Sequence, residues 1–233
     1  MTITVHNRVP REDLALGLVR AQGVSGGPAP AALHEDLDQL LARRSGQALD
    51  AAEEALRKGS RDILRNGKYK PSGRGKPANE YLLREAARET FPRINGPVDA
   101  NNLVSLMACV PISLWDLVLA GDPEQYEVRL GGKVEQYVFN AGGQTLALRD
   151  LVCGCALSED GSTPLVTPIK DGLASKITAA TTRVGGCIYY PLAAGSREHL
   201  QEITSTFASW LGRCGQSVET AWAVALPGQS ASL

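Results

Sequence analysis

The feature that most limits how this chain can fold is a change of hydrophobic period along it. Through the first third, apolar residues recur every three or four positions; from Tyr126 onward they come in short runs and period-two alternation. Leu33, Leu37, Leu40 and Leu41 predict a helix that opens after GGPAP and stops near Ser45-Gly46. Ala52, Leu56, Ile63 and Leu64 predict a second across Gln47 to Arg65, and Leu82, Leu83, Ala86 and Ala87 a third across Asn79 to Thr90. One strand, LALGLVRAQGV at residues 14–24, precedes them. The later segments YEVRL, VEQYVF, TLALRDLVCGCAL, PLVTPI and CIYYPL read as strands divided by Gly-Gly and Asp-Gly, with a hairpin turning at Asn140 to Gln144. Ser196 should cap a helix that buries Leu200, Ile203, Phe207 and Leu211, and SVETAWAVAL then returns as a strand. Helices followed by strands, without regular alternation, favour an α+β fold over a doubly wound sheet. The expected organisation is a helical N-terminal part with a basic loop over 1–75, an α+β domain over 76–226, and a frayed tail over 227–233.

Several functional classes are disfavoured. No glycine-rich dinucleotide or phosphate loop occurs, and no cofactor is expected. The five cysteines form no C-x-x-C pair and the three histidines are isolated, so neither a disulfide framework nor a metal site is expected. The start lacks a signal-peptide pattern and there is no run of apolar residues long enough to span a bilayer, which predicts a cytoplasmic protein with no membrane partner. Lys and Arg total 24 against 25 Asp and Glu, so a nucleic-acid partner would have to be met by a local patch.

Such a patch exists. Arg57, Lys58, Arg61, Arg65, Lys68, Lys70, Arg74 and Lys76 face a single acid, Asp62, and the second half of this stretch, NGKYKPSGRGKP, has the composition of a loop. Flexible cations around Tyr69 could follow a phosphodiester backbone with the ring stacked on a base. A solvated helix face neutralised by acidic neighbours such as HEDLD accounts for the same residues.

PVDANNLVSL at 97–106 sets an acid and two amides at the mouth of an apolar segment. Asp99 reads as the N-cap of a buried helix beginning near Ala100, with Leu103, Val104, Leu106 and Met107 inside. Asn101 and Asn102 then fall in its first turn, where amides can form the lip of a pocket.

From about Lys76 to Pro191 the chain resembles the tRNA-binding and editing domain of the phenylalanyl-tRNA synthetase beta subunit, particularly its stand-alone relatives. The likeness is carried by VDANN, by the P-x-x-x-x-D of Pro111 to Asp116, and by the T-x-x-T of Thr178 to Thr181 within TPIKDGLASKITAATTRVGGCIYYP. It implies a module built on a β-sandwich, with a pocket that takes the aminoacyl end of a mischarged tRNA and hydrolyses its ester by water attack, without a covalent nucleophile. It also implies Asn101 and Asn102 at the pocket wall and Thr181 and Thr182 beside a closing strand. Ser113 stands in the place of a pocket histidine and Cys187 in that of the editing glutamate.

The candidate catalytic set is therefore Asn101, Asn102, Asp171, Thr181 and Thr182, with Lys68, Lys70, Arg74 and Lys76 as candidate tRNA contacts. Asp171 could accept a proton from water, bind a substrate ammonium, or serve only as a turn residue in KDG. Cys187 also fits a core thiol, and the threonines fit plain strand positions. The functional expectation is a trans-acting editing protein acting on mischarged aminoacyl-tRNA. The alternatives are a non-catalytic tRNA- or RNA-binding module and a binder of free amino acids.

Overall fold

The computed structural model describes residues 2–233. In chain order it contains β1 (Thr4–Asn7), β2 (Leu14–Gln22), α1 (Ala31–Gly46), α2 (Ala51–Asp62), α3 (Ala78–Ala87), α4 (Gly96–Ala108), β3 (Ile112–Asp116), β4 (Gln125–Leu130), β5 (Gln136–Val138), β6 (Thr145–Ala147), β7 (Val152–Ser158), β8 (Gly161–Val166), β9 (Arg183–Pro191), α5 (Arg197–Gly212), β10 (Glu219–Ala225) and β11 (Ser230–Ser232). The fold is mixed α+β.

Strand β2 shows how the layers form. Leu14, Leu16 and Leu18 enter one core cluster, while Ala15, Val19 and Ala21 enter another on the opposite face. A strand apolar on both faces must lie between two covering layers. One face of its sheet, ordered β10-β2-β9-β3, packs on helices; the other packs on a five-stranded sheet ordered β11-β1-β4-β7-β8. Gly17 permits the closest approach on the helical side: a Cβ there would lie 2.3 Å from Thr204 Oγ1 of α5. Strand β9, likewise buried on both faces, pairs antiparallel with β2 and β3.

The structure redraws the expected boundaries. Residues 1–75, expected as a mainly helical part packing on the core, also contribute strands to both sheets: β1 pairs with β4, and β2 sits inside the second sheet. The tail is not frayed: β11 pairs with β1, and Ile3 and Leu233 exchange backbone hydrogen bonds of 3.0 and 2.9 Å. Asp99 is not the cap of α4. Asn95 is, its side chain accepting from Val98 N at 3.1 Å, and Pro97 occupies the first turn, where a missing N–H costs nothing. Asp99 instead reaches back to accept from Ile94 N at 2.8 Å, and burial raises its pKa. Asn101 and Asn102 thereby move to the second turn.

Candidate functional site

Helix α4 is buried almost all round, so its amides had to find an enclosed polar surface or stay unpaired. They line a cavity of about 400 Å³ between α4, strand β3, the segment 167–171 and the β5–β6 hairpin. Asn101, Asn102, Asn140, Lys170, Asp171 and Lys176 supply its polar atoms, and Ile94, Val98, Ile112, Leu114, Phe139 and Ile177 its apolar wall. Asn101 Nδ2 donates to Asn102 Oδ1 at 3.3 Å, while the buried Asn101 Oδ1 has no partner among the described residues.

Segment 167–171 is fixed from both sides. Thr167 Oγ1 accepts from Lys170 N at 3.2 Å, and the Tyr137 hydroxyl of the hairpin donates to Lys170 O at 2.5 Å. The hairpin is held in turn by the Lys176 ammonium, which donates to Phe139 O. Lys170 lies over the Phe139 ring, 4.0 Å from its centroid, a cation–π contact at the cavity wall.

Asp171 accepts from Leu114 N at 3.3 Å through Oδ2; its other oxygen is covered and has no geometric hydrogen-bond partner. Although the residue keeps some exposed surface, its carboxyl is deeply enclosed. Burial pushes its pKa up to about 7, with the Ser113 hydroxyl, the Leu114 N–H and Lys176 offsetting part of the rise. A carboxyl that changes charge near neutrality inside a cleft has the character of a proton-transfer group.

The other candidates separate. Thr181 does not line the cavity: it is buried, donates to Asp116 Oδ2 at 2.6 Å and accepts from Thr178 N at 2.9 Å. Asp116 Oδ1 meanwhile accepts from Val118 N and Leu119 N. The P-x-x-x-x-D and T-x-x-T motifs therefore meet as a latch that ties the end of β3 to the 178–181 turn. Thr182 is exposed, and its carbonyl accepts from Gly23 N and Val24 N.

Ser113 and Cys187 face each other in register between β3 and β9, both buried. Ser113 donates to Thr167 O at 2.9 Å and accepts from the Tyr189 hydroxyl at 3.3 Å; burial drives the Cys187 thiol far above its ordinary pKa. The space beside Cys187, between the sheets, amounts to about 10 Å³, room for one water at most. All five cysteines are buried free thiols, and among the described residues no cluster of His, Cys, Asp and Glu could hold a metal ion. Among them, too, no helix is long and apolar enough to cross a membrane.

The basic stretch splits in two. Arg57 and Arg61 are both bound to Glu80, Lys58 to Glu54 and Arg65 to Asp62, so every cation of the helical half is ion-paired. Lys68, Lys70, Arg74 and Lys76 are exposed and, among the described residues, have no acidic partner. Tyr69 does not offer a free ring: its hydroxyl donates to Gly75 O at 2.8 Å, it packs against the inter-sheet core, and burial pushes its pKa up to about 12.

Arg74 and Lys76 line a groove of about 870 Å³ with Tyr81 and Arg84, and it shares Ala78, Ile169 and Lys170 with the polar cavity. The two adjoin along these residues. Burial, Arg74 and Lys176 together lower the pKa of Lys170, a sign of crowded positive charge at the junction. Lys170 is legible in the sequence as the neighbour of Asp171, but Lys176, Phe139, Asn140 and Tyr81 are not singled out there as site residues; most come from separated segments that no local spacing joins. Neither a scan of the chain against protein-family models nor a search of curated proteins finds a match.

Proposed function

We propose that this protein binds the aminoacylated 3′ end of a tRNA and hydrolyses the ester of a mischarged amino acid. The observation that carries the reading is the adjacency of a groove lined by Arg74, Lys76 and Lys170 to a cavity lined by amides and a carboxyl whose pKa burial pushes up to about 7. The groove suits a polyanionic strand and the cavity suits a small amino acid with an apolar side chain. The resemblance of 76–191 to the synthetase editing domain, with its β-sandwich core, agrees with this arrangement.

Ester hydrolysis needs a base near a water and a donor where the oxyanion develops. Asp171 fills the first role. Asn102 fills the second, since it lines the cavity and its amide nitrogen donates to no group among the described residues. Asn101 holds Asn102 in place through the 3.3 Å bond between them. The carboxyl that the synthetase domain carries at the position of Cys187 is absent, and Asp171 supplies one from a neighbouring loop, beside Ser113.

A non-catalytic tRNA-binding module is the second reading. It is favoured by the burial of Ser113 and Cys187, which leaves no acid or imidazole at the two positions where the synthetase domain has them. A panel of mischarged tRNAs separates the readings. Loss of labelled amino acid from at least one tRNA, above the buffer rate, supports hydrolysis; salt-sensitive binding with every ester intact supports the module. No tRNA binding even at low salt sinks both.

A further inference from the structure

The groove outside the cavity has its own chemistry. Tyr81 is 48% exposed, and the Arg84 guanidinium sits 5.1 Å from its ring centroid, so an aromatic face and a delocalised cation are presented together. Arg74, Lys76 and Lys170 line the same groove. The acids near them are occupied: Glu80 is held by Arg57 and Arg61, and Glu85 by Arg84 and Thr90. The field at the groove is therefore positive, and Lys170 marks the point where it adjoins the polar cavity.

We infer that this groove binds the unpaired 3′ end of an RNA strand, with a base stacked on Tyr81 and a phosphodiester held between Arg74 and Lys170. A stacking ring needs a base free of its pairing partner, and double-stranded RNA is read by shape across a broad surface of roughly 16 base pairs. A cleft of about 870 Å³ admits a strand but does not offer that surface. The inference rests on the reading above only in taking the strand to be a tRNA end. Burial chiefly lowers the pKa of Lys170, with Arg74 and Lys176 adding to it, and a phosphate between Lys170 and Arg74 would offset the part due to Arg74.

The test is fluorescence anisotropy of the full chain with a labelled single strand of tRNA 3′-terminal sequence, a blunt duplex containing it, and polyglutamate as competitor. The single strand should bind at least about tenfold more tightly than the duplex, and Tyr81→Ala should weaken it by about 5- to 100-fold, with Tyr81→Phe within ~2-fold of wild type. Lys170→Gln and Arg74→Gln should each lower the slope of log affinity against log salt by about 0.7. Tyr81 and Arg74 are exposed, so these variants should melt like wild type; the Lys170 variant tests the phosphate contact independently of the ring. Equal duplex binding, competition by polyglutamate as effective as by RNA, or Tyr81→Ala binding like wild type overturns the inference. If mischarged tRNA is hydrolysed while Tyr81→Ala binds normally, the inference alone fails. If Tyr81 governs strand binding and no ester is cleaved, the hydrolase reading alone fails.

Discussion

Replacing Asp171 by asparagine should change stability and activity in opposite directions, and both effects follow from one enclosed carboxyl. The carboxyl has a folded pKa of about 7 against an ordinary 3.8, because burial penalises its charged form. For a group raised on folding, the sign is fixed: its contribution is fully present below the unfolded value and is lost as pH rises through the folded one. Three units at about 1.4 kcal/mol each set a ceiling of about 4 kcal/mol lost between pH 4 and 8. The substituted amide would still offer an oxygen to Leu114 N and has no charge to bury. The groups facing the carboxyl are Ser113, Leu114 N–H, Lys176, Tyr137, Tyr189 and Cys187, and burial drives the last three upward, out of this window. Asp99, raised in the same direction, is common to both proteins and cancels in their difference. Urea titrations at each pH should therefore show wild type losing ground to Asp171→Asn from pH 4 to 8. Deacylation by wild type, corrected for buffer hydrolysis, should rise through pH 7 and fall by about 10²–10⁴-fold in the variant. A stability difference that stays flat with pH refutes the burial argument; full activity in the variant refutes the base.

Thr181→Val removes a 2.6 Å bond to a buried carboxylate and should cost about 1.5–3 kcal/mol, lowering Tm by several degrees, with activity per folded molecule unchanged; lost activity at normal Tm would return Thr181 to the catalytic set. Asn102→Ala should lower kcat by about 10²–10³-fold while costing only about 0.5–1.5 kcal/mol of stability, measured by single-turnover deacylation and denaturant unfolding; the reverse pattern would make the amide architectural. Gly17→Ala should destabilise by about 1–3 kcal/mol, because the added methyl would strike Thr204 Oγ1 and α5 would have to move; an unshifted melting curve would show that the helix yields freely.

The long periodic elements were legible in the sequence because their environment repeats along the chain. Helices α1, α2, α3 and α5 and most strands after Tyr126 fall close to where apolar spacing puts them, although TLALRDLVCGCAL divides into β6 and β7 at Asp150, left-handed at φ 61°; Ser196 caps α5 by accepting from His199 N at 3.2 Å. Strand β3 was hidden for a physical reason. It is five buried residues that follow a buried helix, and the break between them is Cys109, left-handed at φ 55° with none of glycine's warning. The start of α4 was displaced because Asn-Gly-Pro reads as a turn, although Asn before Gly-Pro also makes a cap. Strands β1 and β11 are short, and only long-range pairing defines them, β1 with β4 and β11, and β11 with β1. Of the candidate site, Asn101, Asn102 and Asp171 were within reach because a polar group in an apolar run stands out. Lys170 comes with Asp171 as its chain neighbour, Lys176 and Phe139 join them through tertiary structure, and Tyr69 and Tyr81 could not be told apart without knowing which ring is covered.

The motifs behind the resemblance divide along the same line, into those that build the frame and those that face the ligand. The Asp116–Thr181 latch sits outside the cavity and fixes one end of β3, while Leu114 N of that same strand holds Asp171. Frame and chemistry are thus coupled through a single strand edge. Ser113 and Cys187, the positions that differ from the synthetase pattern, are cross-strand partners; the Ser113 hydroxyl lowers the pKa of Asp171, and Asp171 in turn helps raise that of Cys187. Two small neutral groups there leave Asp171 as the one carboxyl in that enclosed region. A second acid at 187 would stand among the same groups and, by like-charge repulsion, drive the pair to share a proton. With Cys187 in place, the proton affinity near neutrality belongs to Asp171 alone, which makes its removal the most direct test of whether the cavity hydrolyses or only binds.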